Sequence, residues 1–331
     1  MRHESNAFEE VASCAARALG LPGLEACHRL DTWTTGLLVC SCDKEAIREF
    51  KALLEMKGDE FRAEEVALER ATIMAGADTA AYFSTTASHS PGIPVGKTHE
   101  GGGGPLGSPR GLSKIYQVLT DRPIAPGRLT SFMFDGPFRP PDAYGQGMSG
   151  CPDPLFEACG FRLPARGPRL LSRHNHPGWK RVVSEVMECE PISADLIDVW
   201  MKRGHEGKAF CRLGETASSE EGGATPWNPL GDNPSPLRSY WCSRVRLITG
   251  RTHQIRAQFA AEGCPLLGDV MYSGVSGLLV PLSGRIEDPD VGKRILSLPQ
   301  VDGPIGLHAS ELMWDARVLK VAAPWEAILS Y

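Results

Sequence analysis

The sequence contains no apolar run that approaches the roughly eighteen residues of a membrane-spanning helix, so we expect no membrane segment. Its first residues lack the apolar core of a signal peptide, and acidic residues among positions 1–13 disfavour a transit peptide. An excess of positive charge is missing too, since the net charge is −5 and the pI is near 6.0. We therefore expect nucleic acid, if bound at all, to meet a local basic patch. The expected location is intracellular, in the cytoplasm, the nucleus or an organelle.

The ten cysteines have neither the spacing of a metal site nor that of a disulfide framework. Cys40 and Cys42 lie two residues apart without a second Cys or His pair nearby, and Cys151 and Cys159 also lack a paired partner. We expect reduced, mostly packed thiols and no metal ion.

Glycine and proline are abundant, at 36 and 26 residues, but they are concentrated in particular stretches. We predict three flexible insertions, at residues 75–110, 135–160 and 204–236. The first contains Gly92-Ile-Pro-Val-Gly96-Lys97-Thr98, which is superficially like a phosphate-binding loop. It has three residues between its glycines instead of four, a proline inside, and no flanking strand or helix. The sequence therefore predicts no nucleotide cofactor.

Alternating strands and short helices, without repeated βαβ units, are typical of an α+β fold. We predict strands at residues 37–40, 114–119, 129–133, 180–189 and 243–249. We predict helices from Asn6 to Leu19, after a cap at Asp43, and at residues 253–262 between a Thr252 cap and a Gly263 stop. The first helix is expected to pack an apolar stripe in the core.

In the last of these helices, Arg256 lies within or beside the apolar side that Ile255 and Phe259 define. An inward guanidinium is costly unless a carboxylate meets it, so the helix predicts an acidic partner. Our candidate is Asp31, in a polar turn before the predicted buried strand Leu37–Cys40. Taken alone, Asp31 is better explained as a turn-capping residue, since Asp-Thr turns are common.

Four motifs point beyond turn capping. The segment from His28 to Leu38 reads His-Arg-Leu-Asp-Thr-Trp-Thr-Thr-Gly-Leu-Leu. It resembles the motif around the catalytic aspartate of RluA-type pseudouridine synthases. Lys114-x-Tyr116 is similar to the second motif of that family. Residues 250–258, 263–269 and Tyr272 resemble the third, and Leu307-His308-Ala309 resembles the closing motif.

The resemblance covers residues 24–56, 112–134, 168–190 and 240–330. Within it, the stretch that contains Pro168 and Trp179 resembles the eukaryotic, plant-type branch of the family. Gln258 stands where the family more often has His, and Cys264 also departs from the pattern. Family members normally carry a strand and a Lys-Pro-x-Gly segment before the aspartate motif, which residues 1–27 lack. On this ground we expect a truncated start or a lost edge of the sheet.

The resemblance implies a single catalytic domain over residues 1–331, with a mixed, mainly antiparallel sheet in two halves around a central catalytic cleft. It implies an isomerase that converts uridine to pseudouridine in a ribosomal or transfer RNA, as a monomer without a cofactor. The implied catalytic residues are Asp31 as nucleophile, Arg256 as the cation that keeps it ionised, and Tyr116 against the uracil. The implied RNA-binding residues are His28, Arg29, Thr35, Lys114, Arg251, His253 and Gln254. His308 is expected to be structural.

Two other functions are open. The chain could be a catalytically inactive RNA-binding relative, although such a binder would not need an inward Asp–Arg pair. A hydrolase that uses Asp31 lacks a second carboxylate or a Ser–His partner at a recognisable spacing. A run of basic residues between Arg162 and Arg181 fits either a solvated loop or part of an RNA footprint.

Overall fold

The computed structural model describes residues 11–55, 112–134, 167–176, 179–202, 239–283, 303–314 and 317–326, with residues 286, 290–291, 295 and 298 between them. The three predicted insertions lie outside these residues. The chain divides into two compact units. The first unit comprises Met1–Thr32, Gly36–Lys114 and Glu311–Val321; the second comprises Trp33–Thr35, Ile115–Ser310 and Ala322–Tyr331. The single domain over residues 1–331 stays a prediction.

Five helices and ten strands are named in the described residues. The helices are α1 (Val11–Leu19), α2 (residues 44–55), α3 (residues 194–202), α4 (Gln254–Ala261) and α5 (Val270–Ser273). The strands are β1 (Glu25–Ala26), β2 (Thr35–Gly36), β3 (Cys40–Ser41), β4 (Ser113–Thr120), β5 (Gly127–Phe134), β6 (Leu171–Ser172), β7 (Trp179–Ile192), β8 (Tyr240–Leu247), β9 (Leu307–Trp314) and β10 (Arg317–Lys320). The strands predicted at 114–119, 129–133, 180–189 and 243–249 are confirmed as β4, β5, β7 and β8, with their ends displaced by a few residues.

The second unit is built on a large sheet with the strand order β9-β4-β8-β7-β5-β6. The pairs β5–β6, β5–β7 and β7–β8 are antiparallel. A bulge between Val186 and Glu188 interrupts the register of β7, a strand of 14 residues. The predicted α+β architecture with a mainly antiparallel sheet is confirmed. Its division into halves around a catalytic cleft stays a prediction.

The first unit packs α2 against a small apolar core. The buried residues of this core are Cys27, Ile47, Phe50, Leu112 and Leu312. Asp43 caps α2 as predicted, because its Oδ1 accepts a hydrogen bond from the backbone N–H of Glu45 at 2.9 Å. The end of β9 pairs antiparallel with β10, which places Leu319 opposite Leu312.

Two residues of the apolar stripe that was predicted to pack α1 into the core are exposed, and Ala15 is half-buried. Val11 and Leu19 are each 66% exposed, and Ala12 is the buried residue of this helix. The helix does end before Gly20, which adopts φ 65. Helical periodicity predicts an amphipathic helix, but it cannot say whether another surface covers the apolar stripe.

The prediction of a buried strand over Leu37–Cys40 is also wrong. Residues 37–39 are not a strand and are half-buried, and β3 begins at Cys40. The backbone N–H of Val39 donates to the Nε2 atom of His28 at 3.1 Å. At this N–H, a side chain takes the place of a neighbouring strand as the acceptor.

Helix α4 is buried on every side, and all residues from Gln254 to Ala260 are buried. Its N-cap is His253, at φ 58, and not Thr252 as predicted. The turn before the helix is fixed by the Gln254 side chain, whose Oε1 accepts the backbone N–H of Arg251 at 3.2 Å. Gly263 ends the helix with φ 79, as predicted.

The buried apolar residues of the second unit include two clusters. One contains Met133, Trp179, Val182, Ala257, Ala260, Met271 and Tyr272. The other contains Leu119, Ile197, Trp200, Tyr240 and Trp325. Among the described residues, no helix is long and apolar enough to cross a membrane.

Candidate active site

The predicted nucleophile, Asp31, lies in a loop that leaves β1 after Cys27 and returns at Val39. The two ends of the loop are joined by a hydrogen bond from the backbone N–H of Cys27 to the Val39 oxygen, at 2.8 Å. The His28 ring adds the second bond to Val39 and stacks on Phe50, with ring centroids 5.8 Å apart. The base of the Asp31 loop is therefore braced by a side chain from within the loop.

The His28 ring is neutral at physiological pH. Burial, together with the charge of Lys114, lowers the pKa of His28 to about 4. Since Nε2 accepts the Val39 N–H, the ring hydrogen is on Nδ1, which lies 3.4 Å from the Arg29 oxygen. Burial also lowers the pKa of the Lys114 ammonium, to about 8. These contacts give His28 the position of a brace, while its RNA-binding role stays a prediction.

The side chains that follow His28 in this loop differ in their access to solvent. Arg29 is exposed and Asp31 is half-buried. Trp33, two residues further, has φ 67 and is 38% exposed. Arg29 is therefore more accessible to solvent than Asp31, and its RNA-binding role stays a prediction.

Four amide and hydroxyl side chains, two glutamines of α4 with a threonine and a serine, connect α4 to β5 and β7 in the second unit. The Gln254 amide N donates to the Val183 oxygen at 3.0 Å, and its Oε1 accepts from the Thr249 hydroxyl at 2.9 Å. The Gln258 amide N donates to the Leu129 oxygen at 2.8 Å, and its Oε1 accepts from Ser184 at 2.9 Å. Gln254 is 2% exposed, so its surroundings are those of a packing residue. Gln258, where the family pattern more often has His, is part of the same bonding network.

Arg256 forms a buried, two-bond ion pair with Asp269. Its Nε donates to Oδ2 at 2.6 Å and its Nη2 donates to Oδ1 at 2.9 Å. The side chains are 3% and 0% exposed. The prediction that the inward guanidinium meets a carboxylate is confirmed, with Asp269 as the partner found. The pairing of Arg256 with Asp31 stays a prediction.

The ring of Tyr272 packs against the guanidinium of Arg256. Its ring centroid lies 4.9 Å from the Arg256 guanidinium carbon, within the range of a cation–π contact. Its hydroxyl accepts the backbone N–H of Arg169 at 2.8 Å and lies 3.3 Å from Nδ1 of His253. Burial raises the pKa of Tyr272 well above its usual range, so the phenol stays neutral.

Gly268 forms the turn just before Asp269, the partner of Arg256 on α4. Its backbone has φ 76, and a Cβ atom at this position would lie 2.2 Å from the backbone oxygen of Pro304. No residue with a side chain fits there without displacing the main chain. Asp269 then caps α5 by accepting the backbone N–H of Tyr272 at 3.3 Å.

Of the other predicted residues, Thr35 is exposed and its hydroxyl lies 2.8 Å from Nδ1 of His308, which is buried. The structural role predicted for His308 is consistent with this contact. Tyr116 is 7% exposed on β4, where strand alternation places it on the opposite face from Gln117. Arg251 is exposed just before α4.

Sequence reasoning missed Asp269 as the partner of Arg256. The signal was present, because Gly268-Asp269 belongs to the stretch that resembles the third motif. The two residues are 13 apart, a separation that places them on different elements and not on one helical face. Only the fold brings them together.

The curated proteins that the chain resembles are RNA pseudouridine synthases. It is 26% identical over 235 residues to RNA pseudouridine synthase 6, chloroplastic, of Oryza sativa subsp. japonica, over 65% of this chain and 38% of that protein. It is 36% identical over 126 residues to the protein of the same name from Arabidopsis thaliana, over 38% of this chain and 22% of that one. It is 35% identical over 94 residues to ribosomal large subunit pseudouridine synthase D of Pseudomonas aeruginosa, over 28% and 26%. The resemblance to RluA-type pseudouridine synthases is thereby confirmed.

No protein-family model matches the chain. Among solved structures, human RNA pseudouridylate synthase domain containing 4 aligns with a TM-score of 0.40 and 15% identity, over 96% of this chain and 79% of that one. Human RNA pseudouridylate synthase domain containing 1 aligns with a TM-score of 0.35 and 18% identity, over 92% and 70%. The matched part of the chain spans 38% of the length of the rice protein.

Proposed function

We propose that the protein isomerises uridine to pseudouridine in a structured RNA, with Asp31 as the nucleophile. The observation that carries the proposal is the buried pair of Arg256 and Asp269, within the stretch that resembles the third motif. A buried ion pair adds little stability compared with apolar side chains of the same volume. A guanidinium kept in the interior at this cost is best explained by a catalytic use.

The reaction breaks the bond between C1′ of the ribose and N1 of the uracil, turns the base, and joins C1′ to C5. N1 gains a proton and C5 loses one, so the step balances without an oxidant or a cofactor. Asp31 attacks the ribose or the uracil ring as a carboxylate. Arg256 keeps Asp31 ionised, because a nearby cation favours the charged form of an acid. Tyr116 lies against the uracil and helps to remove a proton late in the reaction.

The residues around Asp31 and before α4 hold the RNA. A uridine inside an RNA helix must leave the base stack before an enzyme can reach it. Arg29, which is exposed, holds the flipped-out nucleotide by its phosphate, and Arg251, also exposed, binds the RNA beside it. Lys114, Thr35 and His253 line the nucleotide. The name of the Pseudomonas relative makes the large-subunit ribosomal RNA the first substrate to test, with transfer RNA as the second.

The experiment uses transcripts of both RNA classes that carry tritium at C5 of uridine. Because C5 loses its hydrogen when the new bond forms, released tritium counts turnovers. The wild-type protein should release tritium, and Asp31→Asn should reduce the rate by at least about 10³-fold. Asp198→Asn, at an exposed position on α3, is the matched control and should keep the wild-type rate.

Wild-type turnover by Asp31→Asn would contradict the nucleophile assignment. RNA binding by the wild-type protein without tritium release from either class would instead favour the inactive RNA-binding relative.

A further inference from the structure

We propose that the hairpin formed by the end of β9 and by β10, in the first unit, binds an unpaired nucleotide of the RNA. In this site the guanidinium of Arg317 lies between the ring of Trp314 and the base. The inference rests on the proposed function for its choice of RNA as the ligand. It gives the substrate a second contact, apart from the nucleotide that reacts.

Trp314 is held in place by aromatic neighbours in the first unit. Its ring meets the Phe50 ring edge-on, with centroids 5.9 Å apart and an interplanar angle of 77°. Phe50 is 6% exposed and stacks in turn on His28. Trp314 also packs against the apolar core that contains Leu312, and it is itself half-buried. A ring that is already fixed loses little freedom when a ligand stacks beside it.

Arg317 combines an aromatic contact with access to solvent. It lies directly opposite Trp314 in the antiparallel register, so the two side chains share one face of the hairpin. The guanidinium carbon is 5.8 Å from the centroid of the Trp314 ring, within the range of a cation–π contact. Arg317 is exposed. The guanidinium is therefore placed on a ring and is open to a ligand from solvent.

The two cations of β10 differ in how their charges are balanced. Lys320 pairs with Glu311 at 3.0 Å, and strand alternation puts this pair on the opposite face from Trp314. Arg317 makes no ion pair with a carboxylate in the part of the chain that the structure describes. Unpaired bases stack on aromatic rings and on guanidinium planes, and phosphates bind arginine. The pair of Trp314 and Arg317 offers all three groups at one place.

RNA fits this hairpin better than another polypeptide strand. Among the named strands, β10 pairs with β9 alone, and its Val318 and Leu319 are exposed. Antiparallel pairing with a second copy, centred between these two residues, would place Arg317 opposite Lys320. Like charges directly opposite each other are destabilising. An acidic peptide would match the charge of Arg317 but would make no use of the ring, whereas a nucleotide uses both.

The test measures the Kd of the full chain for a fluorescein-labelled oligouridylate of about twelve nucleotides, by fluorescence anisotropy. Arg317→Ala should weaken binding about 5- to 20-fold, because a stacked base and a phosphate contact are lost. Arg317→Lys keeps the charge without the plane and should weaken it about 2- to 5-fold. Lys320→Gln removes the same charge from the opposite face of the same strand, and as the matched control it should keep the wild-type Kd.

A wild-type Kd in Arg317→Ala, with only a lower free energy of unfolding in urea, would show a packing role and overturn the site. Equal weakening by Lys320→Gln would overturn it too, since the protein would then respond to charge alone. Displacement of the RNA by polyglutamate as effectively as by unlabelled oligouridylate would point to an acidic peptide instead, and a wild-type protein that binds no oligouridylate would exclude the site.

Failure of the proposed function has a different signature. Wild-type protein that binds oligouridylate through Arg317, but releases no tritium from either class of transcript, would remove the catalytic proposal and support this site. Wild-type tritium release together with an unchanged Kd in Arg317→Ala would remove this site and leave the proposed function in place.

Discussion

The Asp31 loop and the Arg256 pair are held by contacts of different density. At the loop, one neutral histidine bonds to Val39 at 3.1 Å, and the carboxylate is half-buried. At the pair, two bonds of 2.6 and 2.9 Å join side chains that are 3% and 0% exposed. The guanidinium of Arg256 is therefore buried in the core, whereas Asp31 is half-buried in a loop.

The largest loss of stability should come from a side chain placed at Gly268, in the turn just before Asp269. Gly268→Ala places a Cβ 2.2 Å from the Pro304 oxygen at φ 76, so we expect the second unit to lose its cooperative unfolding transition. Gly263→Ala has a similar φ of 79 but meets no atom within 4 Å, and should cost about 1–2 kcal/mol. Urea unfolding of both variants checks this. Equal losses would show that the turn, and not the contact with Pro304, limits this site.

A middle-sized effect should come from removing the loop brace. His28→Phe keeps a ring against Phe50 but leaves the Val39 N–H without its acceptor, at a cost of about 1–3 kcal/mol. The variant also tests the protonation state of the brace. The folded pKa of His28 is about 4 and the unfolded value is 6.5, so between these values the unfolded chain binds more protons. This contribution to stability is complete above pH 6.5 and is lost as the pH falls towards 4.

Urea unfolding between pH 4 and 7 should therefore show a steeper pH dependence for the wild type than for His28→Phe. His176, whose pKa burial also lowers, contributes equally to both proteins. Parallel curves would contradict the buried, neutral brace.

The smallest effect should come from Lys114, a half-buried cation whose charge acts on His28. Lys114 has a pKa lowered to about 8 by burial, so its charge is held at a cost below that pH. Lys114→Met should raise the free energy of unfolding at pH 7 by about 1–2 kcal/mol, after discounting for partial exposure. Because the unfolded chain binds the proton more tightly, wild-type stability rises between pH 8 and 10.5, and the gain from the variant disappears there.

The same Lys114→Met variant should bind the RNA transcript more weakly. Higher stability together with weaker binding would mark a cation kept for function. A loss of stability at pH 7 would show instead that Lys114 supports the fold.

Local patterns predicted the elements better than the contacts between them. β4, β5, β7 and β8 followed from alternation, and the Asp43 cap and the Gly263 stop from residue chemistry, because each depends on a few neighbouring residues. The strand predicted at Leu37–Cys40 failed because a histidine ring, and not a strand, accepts from Val39. The Thr252 cap failed because Gln254 fixes that turn.

The candidate site shows the same limit. Periodicity predicted that Arg256 faces inward and needs an acid, which the structure confirms. It could not select Asp269, because the fold and not the spacing brings the two residues together. Periodicity also could not predict that the Gln254 amide N donates to the backbone oxygen of Val183. Buried polar side chains find partners through tertiary contacts, which a single sequence does not display.

The most direct test of the pairing between Asp31 and Arg256 is a double-mutant cycle on kcat/KM for tritium release. The mild variants Asp31→Glu and Arg256→Lys leave enough activity to measure, alone and combined. Residues that act as one unit should show a coupling energy of at least about 1 kcal/mol, with the double variant little worse than the poorer single one. Effects that add within about 0.5 kcal/mol would show that the acid and the guanidinium work apart, and would contradict the account.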